Sequence, residues 1–148
     1  MKTFLTLAFI LIIFGTALSC KKKEDDGPSQ QVTDVVGVQS DTLKKGTFTG
    51  YDHGLSGKSF IIKDGDKHIL RLTEYNMTPA PDADVFLSKS ASYSAGNVLK
   101  IADLDGGYTN SAINLDIPAG ADWESYPYVI VWCTQYSVNF GVATLSKP

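Results

Sequence analysis

Two cysteines are the most reactive side chains of this chain, and they lie far apart. Cys20 follows an apolar N-terminal run, and Cys133 ends the uncharged segment YVIVWC that begins at Tyr128. A thiol can act as a redox group, as a metal ligand or as a small apolar core residue. In a strand, Cys133 would share one face with Val129 and Val131, and no Lys, Arg or His lies within five residues to stabilise a thiolate. A packed core residue, a redox or cofactor-binding residue and an intermolecular disulfide therefore all remain open interpretations.

His53 is the first candidate partner for this thiol. It lies in the turn-rich segment 52–57, where a mobile imidazole could ligate a metal. Haem needs only one or two axial ligands, so Cys133 and His53 would suffice as a haem-binding pair. The chain has no Cys-x-x-Cys-His, which excludes covalent c-type attachment. The structural alternative is that His53 bonds a backbone carbonyl in its own loop.

Copper and calcium are weaker candidates. A blue-copper set could be drawn from His53, His68, Cys133 and Met77, but cupredoxins take a His and a Met from just after the Cys, and here neither follows. Three acidic pairs could ligate calcium, although no EF-hand loop is present and Asp beside Gly or Pro is ordinary turn chemistry. The pairs are Asp64/Asp66, Asp82/Asp84 and Asp103/Asp105.

The sequence favours a non-catalytic module that does not bind nucleic acid. It contains no Gly-x-Ser-x-Gly, and two histidines leave little room for a triad. The net charge is −3, Arg71 is the sole arginine, and the lysines are scattered. These features exclude the basic patch that nucleic-acid binding requires.

The N-terminus predicts export and lipid anchoring. Lys2 and the apolar run 4–14 form a secretory signal that is too short to span a bilayer. The small residues before Cys20 resemble the lipobox of bacterial lipoproteins, with Ala17 where leucine is usual. Residues 1–19 are therefore predicted to be a signal peptide, and Cys20 to be lipidated, for instance with palmitate, in the bacterial outer membrane. The alternative is ordinary signal-peptide cleavage, which leaves Cys20 free.

A tether and a lead-in are predicted over residues 20–43. Segment 21–31 contains no apolar residue, so it cannot pack. Its lysines followed by acidic residues resemble a surface-export signal, so the domain is predicted to be either periplasmic or exposed at the cell surface. Lipidation of Cys20 would leave Cys133 as the only thiol, without an intramolecular disulfide partner.

The remaining chain predicts an all-β fold. Short strand-like segments alternate with turn signals, and no segment outside the signal has helical apolar periodicity. We expect an antiparallel β-sandwich, jelly-roll-like, or a barrel-like single domain. Asp64-Gly65 predicts a hairpin at a partly exposed edge, and residues 128–145 predict two strands. Segment 78–82 should not be central strand because proline lacks the donor, and segment 98–101 could be strand or helical turn.

The order of several short motifs resembles the DM-thirteen (DM13) domain, also called the electron-transfer DM13 domain, over residues 44–146. The motifs are Gly46-x-Phe48, His53, Ser56-Gly57, Leu70-Arg71-Leu72, Pro81-Asp82, Val85-Phe86-Leu87-Ser88, Leu104, Gly106-Gly107, Ile117-Pro118, Tyr128–Cys133 and the segment 138–145.

The resemblance implies a redox role. Its signature is a cysteine after an aliphatic-Trp run, which falls here on Cys133 with Trp132. Family proposals involve either the bare thiol or a bound group such as haem, sometimes beside cytochrome-like domains. This chain has a single such domain, so the resemblance implies that a redox partner would be another protein. The alternative is a non-redox surface module that binds a ligand or a protein, with Cys133 in its core.

Overall fold

A computed structural model describes residues 42–104 and 106–148 as eight β-strands and two short 3₁₀ turns. The predicted signal peptide, Cys20 and the tether to residue 41 lie outside the described residues. The strands are β1 (Thr42–Gly50), β2 (Ser56–Asp64), β3 (Lys67–Ala80), β4 (Ala83–Ser88), β5 (Val98–Asp103), β6 (Gly106–Asp116), β7 (Tyr128–Cys133) and β8 (Val138–Thr144). The 3₁₀ turns are Ala95–Asn97 and Trp123–Ser125.

The strands form one curled antiparallel sheet in the order β5-β4-β7-β8-β1-β2-β3-β6. Strand β1 joins the two halves, because it pairs with β2 on one side and with β8 on the other. The end strands β5 and β6 approach each other, so the sheet curls into a half-barrel around its core. The predicted all-β antiparallel class, in its barrel-like form, is confirmed.

Alternation along each strand creates this core. Leu70 and Leu72 of β3 point inward and are fully buried, as are Val129 and Val131 of β7. The predicted hairpin is also present, since Gly65 has a φ of 59° between β2 and β3. Segment 98–101, which the sequence left undecided, belongs to strand β5.

One local prediction was wrong, and the one for segment 78–82 can be made more specific. The β2–β3 hairpin does not lie at an edge, because β6 pairs with β3 on its far side. Strand β3 also continues through Pro79 to Ala80. Its register with β2 stops at Asn76, so residues 78–80 pair with β6 alone and are not central strand, as predicted. The missing donor of Pro79 therefore disrupts no ladder with β2.

Candidate functional site

Cys133 is the last residue of β7 and faces the core. It pairs across the sheet with Ala83 of β4 and Val138 of β8. It is a free cysteine with 1% of its surface exposed, and it belongs to the same buried cluster as Val129 and Val131. The face predicted from strand alternation is therefore confirmed, and the thiol is a packed part of the core in this structure.

Trp132 points to the opposite, outer face of β7. Its ring stacks on Tyr93, with centroids 4.7 Å apart and planes 9° from parallel. Tyr93 also packs edge-on against Phe86 of β4, with a centroid distance of 5.3 Å. The loop between β4 and β5 thus folds back over the sheet and covers Trp132 with an aromatic ring. Trp132 and Tyr93 both remain partly exposed.

His53 lies in the β1–β2 loop and packs against β8. Its ring stacks on Phe140 at a centroid distance of 4.7 Å, and its backbone carbonyl accepts a hydrogen bond of 2.6 Å from Thr78 Oγ1. A bulge in β8 opposite Trp132 makes Phe140 an extra residue, and the Gly141 N–H bonds the Asn139 side chain instead. Phe140 belongs to the same core cluster as Cys133, which brings His53 to the edge of that cluster without a described contact to the thiol.

The hypothetical copper ligands are spread over the fold. While His53 stacks on Phe140, His68 packs against Trp123 at 4.9 Å, and Met77 Sδ accepts a hydrogen bond of 3.3 Å from the Tyr75 hydroxyl. Within residues 42–104 and 106–148, the one group of three potential metal ligands contains neither cysteine nor histidine. The described structure therefore does not bring these four side chains together as one ligand set.

Haem does not fit Cys133 as the thiol is placed here. An axial ligand must present its sulfur to a planar macrocycle, and a residue with 1% exposure offers no open face to an incoming group. His53 is also turned onto Phe140 rather than toward an open site.

The group of potential metal ligands consists of Asp82, Asp84 and Asp103, with Lys100 among them. Lys100 Nζ lies 2.7 Å from Asp84 Oδ1 and 2.6 Å from Asp103 Oδ1. The other carboxylate oxygen of Asp84 accepts a hydrogen bond of 2.7 Å from Thr134 Oγ1. An ammonium group thus occupies the place that a cation would take, and the cluster ties β4 to β5 and to the turn after β7.

Burial and hydrogen bonding shift the pKa values of this cluster in different directions. Asp84 is 4% exposed, and desolvation raises its pKa even though Lys100 and Thr134 act in the opposite direction. The hydrogen bond from Lys100 lowers the pKa of Asp103, and the same bond raises the pKa of Lys100. Asp84 is a buried residue of strand β4.

Sequence reasoning missed the positions of Tyr93 and Lys100. Tyr93 falls in a serine-rich loop, and Lys100 is one of the scattered lysines. Their partners Trp132 and Asp84 are 39 and 16 residues away in the chain numbering. Each contact forms only when the chain folds, so local sequence patterns could not predict either one.

The burial of Cys133 gives a direct prediction for thiol chemistry. An aromatic disulfide reagent should modify the folded protein at least about a thousandfold more slowly than the unfolded one, because opening β7 should cost about 4 kcal/mol or more. Thiol titration in buffer and in urea measures this ratio. Modification of the folded chain at the rate of a free thiol would contradict the placement of Cys133 in the core.

The fold and this site define a small antiparallel β domain with one buried thiol beside a surface aromatic stack. The family model described as "Electron transfer DM13" matches residues 47–145, which include Cys133, Trp132 and Tyr93. The chain belongs to the electron-transfer DM13 family.

Curated relatives are long proteins of an animal. The chain is 27% identical over 106 residues to Protein Skeletor, isoforms B/C, of Drosophila melanogaster, and equally to isoforms D/E. The match covers 66% of this chain but 13% and 7% of those two proteins. No solved structure matches the chain significantly. In the part of the chain that the structure describes, no helix has the length and apolar character needed to cross a membrane.

Proposed function

We propose that this protein is a lipid-anchored bacterial electron-transfer protein, in which Cys133 is the redox residue and Trp132 with Tyr93 connects it to a partner protein. The observation that carries the proposal is the parallel stack of Trp132 on Tyr93, directly next to Cys133 in the chain. Family membership supports electron transfer, since the matched segment spans all three residues.

The proposed step transfers one electron and releases one proton. Cys133 gives one electron to an oxidised metal or flavin centre of the partner protein and becomes a thiyl radical. Because the thiol is buried, its proton would pass to water when the end of β7 opens, next to the exposed Thr134. A reduced centre of a partner returns one electron, and water returns the proton.

The two aromatic residues would shorten the route from the core to the surface. Cys133 itself is buried, whereas the adjacent Trp132 and its stacked neighbour Tyr93 lie on the outer face. Rings in van der Waals contact couple electronically better than the solvent that would otherwise separate thiol and partner. His53 would act at most as a positioning residue, through its stack on Phe140.

Photo-oxidation tests this function. The full chain is oxidised by one electron with a ruthenium polypyridyl photo-oxidant, and aromatic radicals are followed by transient absorption. We expect a short-lived aromatic radical in the wild type and a longer-lived one in Cys133→Ala, which lacks the thiol that reduces it. In Trp132→Phe the yield should fall. Equal lifetimes in the wild type and Cys133→Ala would contradict a redox role for Cys133.

A second candidate function is a non-redox surface module that binds a ligand or a protein, with Cys133 as a core residue. The 1% exposure of the thiol favours it, because buried cysteines usually act as small apolar side chains. Absorption spectra of the purified protein with and without haem or copper help to separate the candidates. A cofactor band lost in Cys133→Ala would exclude this second function and replace the bare-thiol step with a bound group.

The proposed anchor has its own test. The apolar run 4–14, followed by small residues and Cys20, supports lipid attachment, and Cys20→Ser should release the protein from membranes. Membrane fractionation and metabolic labelling with palmitate measure this, with Cys133→Ser as the matched control that stays bound. Unchanged membrane association of Cys20→Ser would refute the lipid anchor.

A further inference from the structure

Arg71 is buried on the outer face of β3, and its Nε has no hydrogen-bond partner. Its neighbours in the strand, Leu70 and Leu72, point into the core, so alternation directs Arg71 outward. The residue is nevertheless only 8% exposed, and its Nε has no hydrogen-bond partner. Buried guanidinium groups are normally paired, because an unpaired charge is costly to desolvate. The described residues therefore supply no acceptor for the Nε–H of Arg71.

The residues across the sheet from Arg71 form a row on the same face. Phe60 of β2 and Asn114 of β6 lie directly opposite Arg71, and Lys45 of β1 lies opposite Phe60. Neighbouring strands are about 4.8 Å apart, so the Lys45 and Arg71 backbones flank Phe60 at about 10 Å from each other. The row combines two cations, an aromatic ring and an amide.

A shallow cleft of about 410 Å³ opens beside this row. Lys45, Lys58 and Phe60 line it, together with hydroxyl groups of β1, β8 and the residue after β8. These hydroxyl groups belong to Thr47, Thr144 and Ser146. The cleft therefore extends the row with hydrogen-bond donors around the apolar wall of Phe60.

Two carboxylates on β3 and β6 are already paired with lysines. Glu74 binds Lys58, with Oε1 2.5 Å from Nζ, and Asp116 lies 3.5 Å from Lys67. Over residues 42–104 and 106–148, neither Arg71 nor Lys45 has a carboxylate within ion-pair distance. The row thus carries two unmatched positive charges on a protein whose net charge is −3.

We propose that this row, Lys45-Phe60-Arg71-Asn114, is a docking surface for a carboxylate-bearing segment of a partner protein. A carboxylate can accept two parallel hydrogen bonds from a guanidinium, and one of them would give Arg71 Nε the acceptor that it lacks. Aromatic residues and arginine are the side chains enriched where partners dock, and Phe60 supplies the apolar contact next to the charge. This surface lies on β1, β2, β3 and β6 and is independent of any redox role of Cys133.

Arg71 offers an unusually direct probe, because its Nε–H gives the only arginine side-chain signal of the chain. The ¹⁵N-labelled full chain, held in neutral detergent, is titrated with a glutamate-rich peptide, with inorganic phosphate and with phosphatidylglycerol vesicles. We expect the peptide to shift the Arg71 Nε–H signal saturably and phosphate and vesicles to leave it unchanged. The proposal would be overturned if the peptide does not shift the Arg71 Nε–H signal, or if only phosphate or vesicles shift it.

Variants test which side chains carry the affinity. Arg71→Met should weaken peptide binding about tenfold or more, since a hydrogen-bonded charge is lost. Arg71→Lys should fall between Arg71→Met and the wild type, because it keeps the charge without the fork. Lys63→Ala, an exposed cation elsewhere on β2, is the matched control and should bind as the wild type does. Wild-type affinity in both Arg71 variants would contradict a docking role for the guanidinium.

Discussion

Alanine at Gly141 is expected to destabilise the domain by about 3 kcal/mol, because an inserted methyl group there overpacks a closed region. A Cβ at Gly141 would lie 2.6 Å from Leu55 Cδ2, 2.8 Å from the Thr49 carbonyl oxygen and 3.1 Å from Gly50 Cα. Two of these atoms are backbone and cannot move aside cheaply. Gly141 also pairs with Gly50, where β8 meets the strand that joins the two halves of the sheet.

Urea denaturation followed by tryptophan fluorescence measures this loss. Gly96→Ala is the matched control, because nothing lies within 4 Å of the position that its Cβ would take. Gly96→Ala should leave the free energy of unfolding nearly unchanged. Similar stabilities of the two variants would show that β1 and β8 are not packed as closely as described.

Lys100→Met is the second change with a large expected effect, a loss of about 2 kcal/mol at pH 7. Removing one partner of a buried ion pair costs about 3–5 kcal/mol, and we reduce this because Lys100 is half exposed and Thr134 still donates to Asp84. Asp84 would remain as a buried carboxylate without its cation.

The pH dependence of this loss has a definite sign. Burial raises the folded-state pKa of Asp84, so its stabilising contribution is present at low pH and is lost as pH rises through that pKa. Without Lys100 the pKa of Asp84 rises further. At low pH Asp84 is then protonated and neutral, so its burial costs little free energy. Lys100 lowers the folded-state pKa of Asp103, so Asp103 contributes stability at pH values above its unfolded-state pKa. The variant lacks this contribution. Both effects make the loss larger at pH 7 than at pH 4.

Urea denaturation of the wild type and Lys100→Met at both pH values tests this. The double variant Lys100→Met with Asp84→Asn should recover much of the loss at pH 7, because it removes the unpaired charge. An equal loss at pH 4 and pH 7 would contradict the assignment of Lys100 as the counter-ion of Asp84.

The sequence predicted the faces of individual strands better than their neighbours. Strand alternation correctly placed Cys133 inward with Val129 and Val131, and opposite Trp132, because a side-chain period of two is a local property. The position of the β2–β3 hairpin was wrong, because whether a strand lies at an edge depends on a distant partner, here β6.

The candidate site also combines features that are local in sequence with contacts that depend on the folded chain. The family resemblance pointed to Cys133, Trp132 and His53 from short motifs. The stack of Tyr93 on Trp132 depends on how the β4–β5 loop folds back, and the stack of His53 on Phe140 is accompanied by a bulge in β8. The lack of a hydrogen-bond partner at Arg71 Nε is likewise a property of the assembled sheet, since it depends on the two neighbouring strands β2 and β6.

Electron paramagnetic resonance after one-electron oxidation tests the central claim, that Cys133 is the redox residue, most directly. The full chain is oxidised with the ruthenium photo-oxidant and frozen within milliseconds, beside Cys133→Ala treated identically. We predict a sulfur-centred radical in the wild type, and in Cys133→Ala only the signal of an aromatic radical on Trp132 or Tyr93. An identical aromatic signal in both proteins would contradict the claim and leave Cys133 as a residue of the core.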